Sequence, residues 1–149
     1  MGAQPYWYFT NYEEDFDAAL QQLRRREFEA GRYSPVVPFL QFPVGPASPS
    51  PGPQHASIDE AREAADVHGE GTRSILDIER IGDAPDFGVA CPLDDAVLED
   101  LYETTKPTRE MIEANMDFFE QIERGQALYI VAYRDDHPDE LLFAGYSYD

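Results

Sequence analysis

Between residues 34 and 56 the chain carries no Asp, Glu, Lys or Arg and holds seven of its twelve prolines: Pro35, Pro38, Pro43, Pro46, Pro49, Pro51 and Pro53. Proline fixes φ and removes a backbone donor, so this stretch excludes helix and disfavours a regular ladder. Its first half holds Val36, Val37, Phe39, Leu40, Phe42 and Val44, an apolar set expected to lie down on a core. Residues 47–54, rich in Pro, Ser and Gly, are expected to form a mobile tip. Regular structure must therefore be built from the flanks. At 149 residues the chain suits one globular domain spanning 1–149 with this connector inside it.

Ahead of the connector, residues 6–10 are β-rich, and alternation puts Tyr6 and Tyr8 on one face and Trp7 and Phe9 on the other. A helix follows, with Thr10 or Asn11 as expected N-cap and Glu13 or Glu14 as capping-box partner. Phe16, Ala19, Leu20 and Leu23 form one apolar stripe, and Gly31 is the stop. Behind the connector, Ser57 and Glu60 read as a second capping box, opening a helix to about Val67. Residues 74–81 predict a strand, with 87–91 as its hairpin partner. A third helix begins near Pro92, with Asp94 and Asp95 in its first turn and Val97, Leu98 and Leu101 facing inward. A fourth runs from after Pro107 to Gly125, with Ile112, Met116 and Phe119 as its stripe, broadened by Met111, Phe118 and Ile122. Residues 127–134 and 141–148 close the chain as a hairpin around Asp135, Asp136, His137, Pro138 and Asp139. The order β-α-loop-α-β-β-α-α-β-β predicts an α+β domain: an antiparallel sheet of about five strands with helices mainly on one face. A terminal strand ending at Asp149 would leave an edge open to a second copy.

Charge narrows the function. Eleven cations face 30 acids, for a formal net charge of −19. Nucleic acid and anionic lipid are recognised by cations, so both are poor direct ligands, and the field favours a basic protein partner. No apolar run approaches the ~18 residues of a membrane span, and no charged-then-apolar leader opens the chain. Its single cysteine, Cys91, excludes an intramolecular disulfide framework. These features predict a cytoplasmic location.

No phosphate-cradling loop, dinucleotide fingerprint, nucleophile elbow or paired-histidine motif is present, so neither cofactor nor metal is expected. On a strand Asp77 and Glu79 would share one face, a pair able to divide acid and base roles. Cys91, next to Pro92 at a strand-to-helix junction, is a candidate nucleophile if a helix terminus lowers its thiol pKa. Both readings compete with structural ones, a solvated strand face and a buried apolar thiol. His55, His68 and His137 share no face and read as loop histidines. Tyr129, Tyr133, Tyr146 and Tyr148, beside Asp135 and Asp136, form a candidate binding surface, because tyrosine contributes contact area at low entropic cost. The favoured expectation is an interaction or inhibitor-type protein of the immunity, antitoxin or nucleic-acid-mimic kind. The alternative is a small enzyme built on Asp77, Glu79 or Cys91.

Overall fold

The computed structural model describes residues 3–148, with Phe39 described by its backbone alone. Nine elements follow the predicted order: β1 (Pro5–Asn11), α1 (Phe16–Ala30), α2 (Ile58–Asp66), β2 (Arg80–Ile81), β3 (Val89–Pro92), α3 (Asp95–Tyr102), α4 (Arg109–Ala114), β4 (Ala127–Arg134) and β5 (His137–Tyr146). Short 3₁₀ turns occupy Phe39–Gln41, Ile75–Asp77 and Asp117–Gln121. The five strands make one sheet in the order β1-β5-β4-β3-β2.

The sheet is mixed, which corrects the expected antiparallel one. β1 and β4 flank β5 in antiparallel register, whereas β3 runs parallel to both β4 and β2. The 74–81 strand and its hairpin do not form. Ser74 instead caps a 3₁₀ turn by accepting from the Leu76 N–H at 3.2 Å, leaving only Arg80 and Ile81 to pair, in parallel, with Val89 and Ala90. β5 sits inside the sheet, so the C-terminal strand is not an edge; the open edges belong to β1 and β2. Asp149 lies outside the described residues.

Helices cover both faces, another correction. Alternation along the strands sends Tyr6, Tyr8, Ala127, Tyr129, Leu141 and Phe143 toward α1, where they pack with Ala19, Leu20 and Leu23. Leu128, Ile130, Ala132, Leu142 and Ala144 point the other way, onto α3, α4 and the 117–121 turn. β4 and the inner part of β5 are accordingly near-continuous apolar runs, as strands buried on both sides require. Leu20 and Leu23 are fully buried, each contributing about 1.5–3 kcal/mol by removal from water.

Local signals shift where longer-range pairing intervenes. β1 continues to Asn11, and the Tyr12 N–H still bonds the Asp139 carbonyl at 3.0 Å, so α1 starts later than predicted. Its cap is Asp15, whose side chain accepts from the Ala18 N–H, rather than Thr10 or Asn11. Pro92 ends β3 rather than opening α3. The fourth helix breaks at Asn115, whose side chain accepts from the Asp117 N–H at 3.0 Å, and resumes as a 3₁₀ turn that buries Phe118 rather than Phe119. In the proline segment Val37 and Val44 are buried as expected, but Leu40 is 90% exposed. Among the described residues no helix is long and apolar enough to cross a membrane.

Candidate acidic cleft

α2 forms where the sequence places its capping box. The Ser57 hydroxyl accepts from the Glu60 N–H at 3.2 Å, and the Glu60 carboxylate accepts from the Ala56 N–H at 3.0 Å. Ala61 and Ala65, one turn apart, are buried, and Ala61 packs with Tyr33 and Leu76. The opposite face of the helix therefore carries Asp59, Glu63 and Asp66 into solvent at helical spacing. Between this stripe and residues 70–77 lies a cleft of about 340 Å³, walled further by Glu70, Asp77 and Tyr148.

Five carboxylates line the cleft against one guanidinium, Arg62. Arg62 is committed, its Nη1 bonding Glu79 at 2.8 Å and its Nη2 reaching the Tyr148 hydroxyl at 3.5 Å. That pairing holds the Glu79 carboxyl below the ordinary carboxylate range. Glu70 bonds Arg73 at 3.2 Å. Asp59, Glu63 and Asp66 make no ion pair among the described residues. Tyr148, which lines the cleft, stacks flat on Phe87, ring centroids 4.6 Å apart and planes 9° from parallel. Phe87 is 61% exposed, an unusual position for a large apolar ring. Burial raises the Tyr148 hydroxyl pKa, with Asp77 adding to the rise and Arg62 opposing it, so the ring is a neutral platform at physiological pH.

Asp77 is a buried anchor. Both its oxygens accept from the Thr72 N–H at 3.0 Å, and the Thr72 hydroxyl donates to Oδ1 at 2.9 Å. Gly71 makes room for it, since a Cβ there would sit 2.5 Å from Oδ2 and 2.9 Å from the Tyr148 ring. Glu79 is exposed and points to Arg62 instead. The shared strand face expected of Asp77 and Glu79 is therefore absent, because residues 75–77 wind into a 3₁₀ turn.

Cys91 lies on β3, not at a helix terminus, and is 5% exposed. Its Sγ donates weakly to the Ala127 carbonyl at 3.7 Å, and burial pushes the thiol above its ordinary range, opposite to the shift an activated nucleophile needs. Native Cys91 is accordingly expected to react with a disulfide reagent at pH 8 at least about tenfold more slowly than the urea-unfolded chain. Equal rates would show an accessible, activated thiol.

The tyrosines expected to share a surface are dispersed. Tyr129 is buried beneath α1 against Phe16. Tyr146 packs on Phe119 on the opposite face. Tyr133 is half-buried, with the Lys106 ammonium 5.8 Å from its ring centroid. Asp135 and Asp136, with φ of 51° and 63°, form the two-residue turn joining β4 to β5, at the end of β5 away from Tyr148. Only Tyr148 of the group lines the cleft. His55 bonds the Tyr33 hydroxyl at 2.8 Å, while His68 and His137 are exposed. Among the described residues no group of three or more His, Cys, Asp or Glu side chains is placed to hold a metal ion.

Asp59, Glu63, Asp66 and Glu70 were not singled out by sequence reasoning, although the 4-3 spacing of the first three opposite Ala61 and Ala65 was visible; Glu70 lies beyond the helix, past Gly69 at φ 72°. Fold and site together define an α+β chain with a two-sided mixed sheet and an acidic cleft at one end. No protein-family model, curated protein or solved structure matches it.

Proposed function

We propose that this protein is an interaction module whose acidic cleft receives a basic segment of a partner protein. The observation that carries the reading is the stripe of Asp59, Glu63 and Asp66, exposed and unpaired beside the flat Tyr148–Phe87 stack. A partner arginine or lysine laid over that stack gains a cation–π contact while its charge meets the carboxylates. The net charge of −19 accelerates encounter with basic surfaces and opposes nucleic acid and anionic lipid as direct ligands.

The test uses a labelled arginine- and lysine-rich nonapeptide as probe. Its affinity is expected to fall steeply with added salt. Asp59→Asn/Glu63→Gln/Asp66→Asn should weaken it about tenfold, at roughly 0.2–1 kcal/mol per exposed pair. Asp135→Asn/Asp136→Asn/Asp139→Asn removes the same charge from the distant turn, where asparagine tolerates positive φ, and should change affinity less than about twofold. Equal losses from both variants would mean that net charge alone attracts the peptide, and the cleft would not be its site.

A further inference from the structure

β1 is an open edge of the sheet, and its hydrogen-bond parity is fixed at both ends. The Ser147 N–H bonds the Gln4 carbonyl and the Tyr12 N–H bonds the Asp139 carbonyl, each at 3.0 Å, in the register that pairs Tyr6, Tyr8 and Thr10 with β5. Antiparallel bonding alternates, so the N–H and C=O groups of Trp7 and Phe9 turn outward. Among the described residues nothing takes them up.

This edge forms the floor of a groove of about 440 Å³ that shares no lining residue with the acidic cleft. Trp7, Tyr8 and Phe9 all line it, although their side chains alternate between faces, which places the groove along the strand's edge. Residues 43–46 form one wall, and Arg26, Arg32 and Arg109 line it with only Glu27 and Glu113 against them. Arg26 and Arg32 share the single carboxylate of Glu27, which leaves one positive charge on that wall, whereas Arg109 is committed to Glu113 at 3.4 Å and to Glu140 at 2.9 Å. Arg32 grips Glu27 with two bonds, through Nε at 3.0 Å and Nη2 at 2.9 Å. Arg26 touches the same carboxylate only through Nε, so both its Nη groups are uncommitted, on a side chain 44% exposed.

We infer that the β1 edge is a docking groove for an extended, acidic peptide segment of a partner protein, which adds a sixth strand beside Trp7 and Phe9 and sets a carboxylate on Arg26. Main-chain bonds to the four outward groups supply the pairing, and the guanidinium fork supplies the preference for a carboxylate. A second copy of this chain would bring a net charge of −19 to the edge, a far larger repulsion than a short segment with a single carboxylate meets.

The probe is a hexapeptide of alternating valine and threonine with one central glutamate, titrated into isotope-labelled protein while backbone amide resonances are followed. The expected result is a saturable shift centred on the Trp7 and Phe9 amides, half-complete below about 1 mM. Replacing the peptide's glutamate by lysine should weaken binding about tenfold, and N-methylation along its pairing edge should abolish it. Arg26→Gln should weaken the glutamate peptide about tenfold and the lysine peptide less than twofold. Shifts confined to the acidic cleft, indifference to N-methylation, or no saturable shift would each overturn the assignment. So would concentration-dependent shifts of the same amides without peptide, which would seat a second copy on the edge.

Discussion

Replacing Glu27 by alanine is expected to lower the free energy of unfolding by about 3–5 kcal/mol, among the largest losses any single substitution here should cause. Glu27 is 1% exposed near the end of α1, and its two oxygens accept from Arg32 Nε and Nη2 and from Arg26 Nε. Arg32 is itself 8% exposed. Deleting the carboxylate leaves that guanidinium inside the protein without its counter-charge, and the cost is the desolvation of an unpaired ion rather than the worth of the pair. Two consequences separate this account from a simple loss of packing. Glu27→Gln, which keeps the shape and loses the charge, should cost nearly as much as alanine. The double replacement Glu27→Leu/Arg32→Met removes both ions and should return to within about 1 kcal/mol of the parent, or exceed it. Urea unfolding of the parent, the two single variants and the double replacement measures each of these costs. A single-variant cost below about 1 kcal/mol would show that water reaches Arg32 freely, and the buried-ion account would be wrong.

That ion pair also marks where sequence reasoning ends. Glu27 and Arg32 lie on either side of Gly31, and no periodicity signals that the chain folds back to join them. Element identity was readable because its causes are local: the stripe of Ala19, Leu20 and Leu23, the Ser57–Glu60 box and the glycine that closes α1 all act within a few residues. Strand direction was not, since it depends on which distant segment each strand meets. Residues 74–81 have the isoleucine content of a strand, but Ile75, Ile78 and Ile81 recur every third residue rather than every second, and the Ser74 cap and the Thr72 clasp on Asp77 satisfy the backbone as a 3₁₀ turn. The two-sided burial of the sheet was available in the unbroken apolar runs of 127–133 and 141–145, which read as central strands rather than half-exposed ones. The candidate site follows the same division. The acids of α2 are placed by helical spacing alone, whereas Tyr148 reaches them only because β5 is central and delivers its end beside Asp77.

Gly31→Ala is expected to destabilise the protein by about 2–4 kcal/mol, through two separable effects. Gly31 closes α1 in the left-handed region at φ 72°, its N–H bonding the Phe28 carbonyl at 3.0 Å while the Arg32 N–H bonds that of Glu27 at 3.1 Å. A side chain in this conformation costs about 1–2 kcal/mol wherever it occurs. Here the space is also taken. The proline-rich tip crosses the helix end, the Gly52 N–H bonds the Ala30 carbonyl at 3.0 Å, and a Cβ on Gly31 would overlap the Gly52 carbonyl and its neighbouring backbone atoms. Backbone cannot rotate aside as a side chain can, so the tip must lift and lose its bond to Ala30. Gly52→Ala isolates the first effect: its φ is 89°, but nothing lies within 4 Å of a Cβ there, and its cost should stay near about 1 kcal/mol. Denaturant midpoints give the two costs, and amide exchange at Gly52 gives the mechanism, because only Gly31→Ala should release the Gly52 N–H while leaving the middle of α1 protected. Equal costs for the two variants, with Gly52 exchange unchanged, would mean that the tip yields freely and does not clamp the helix end.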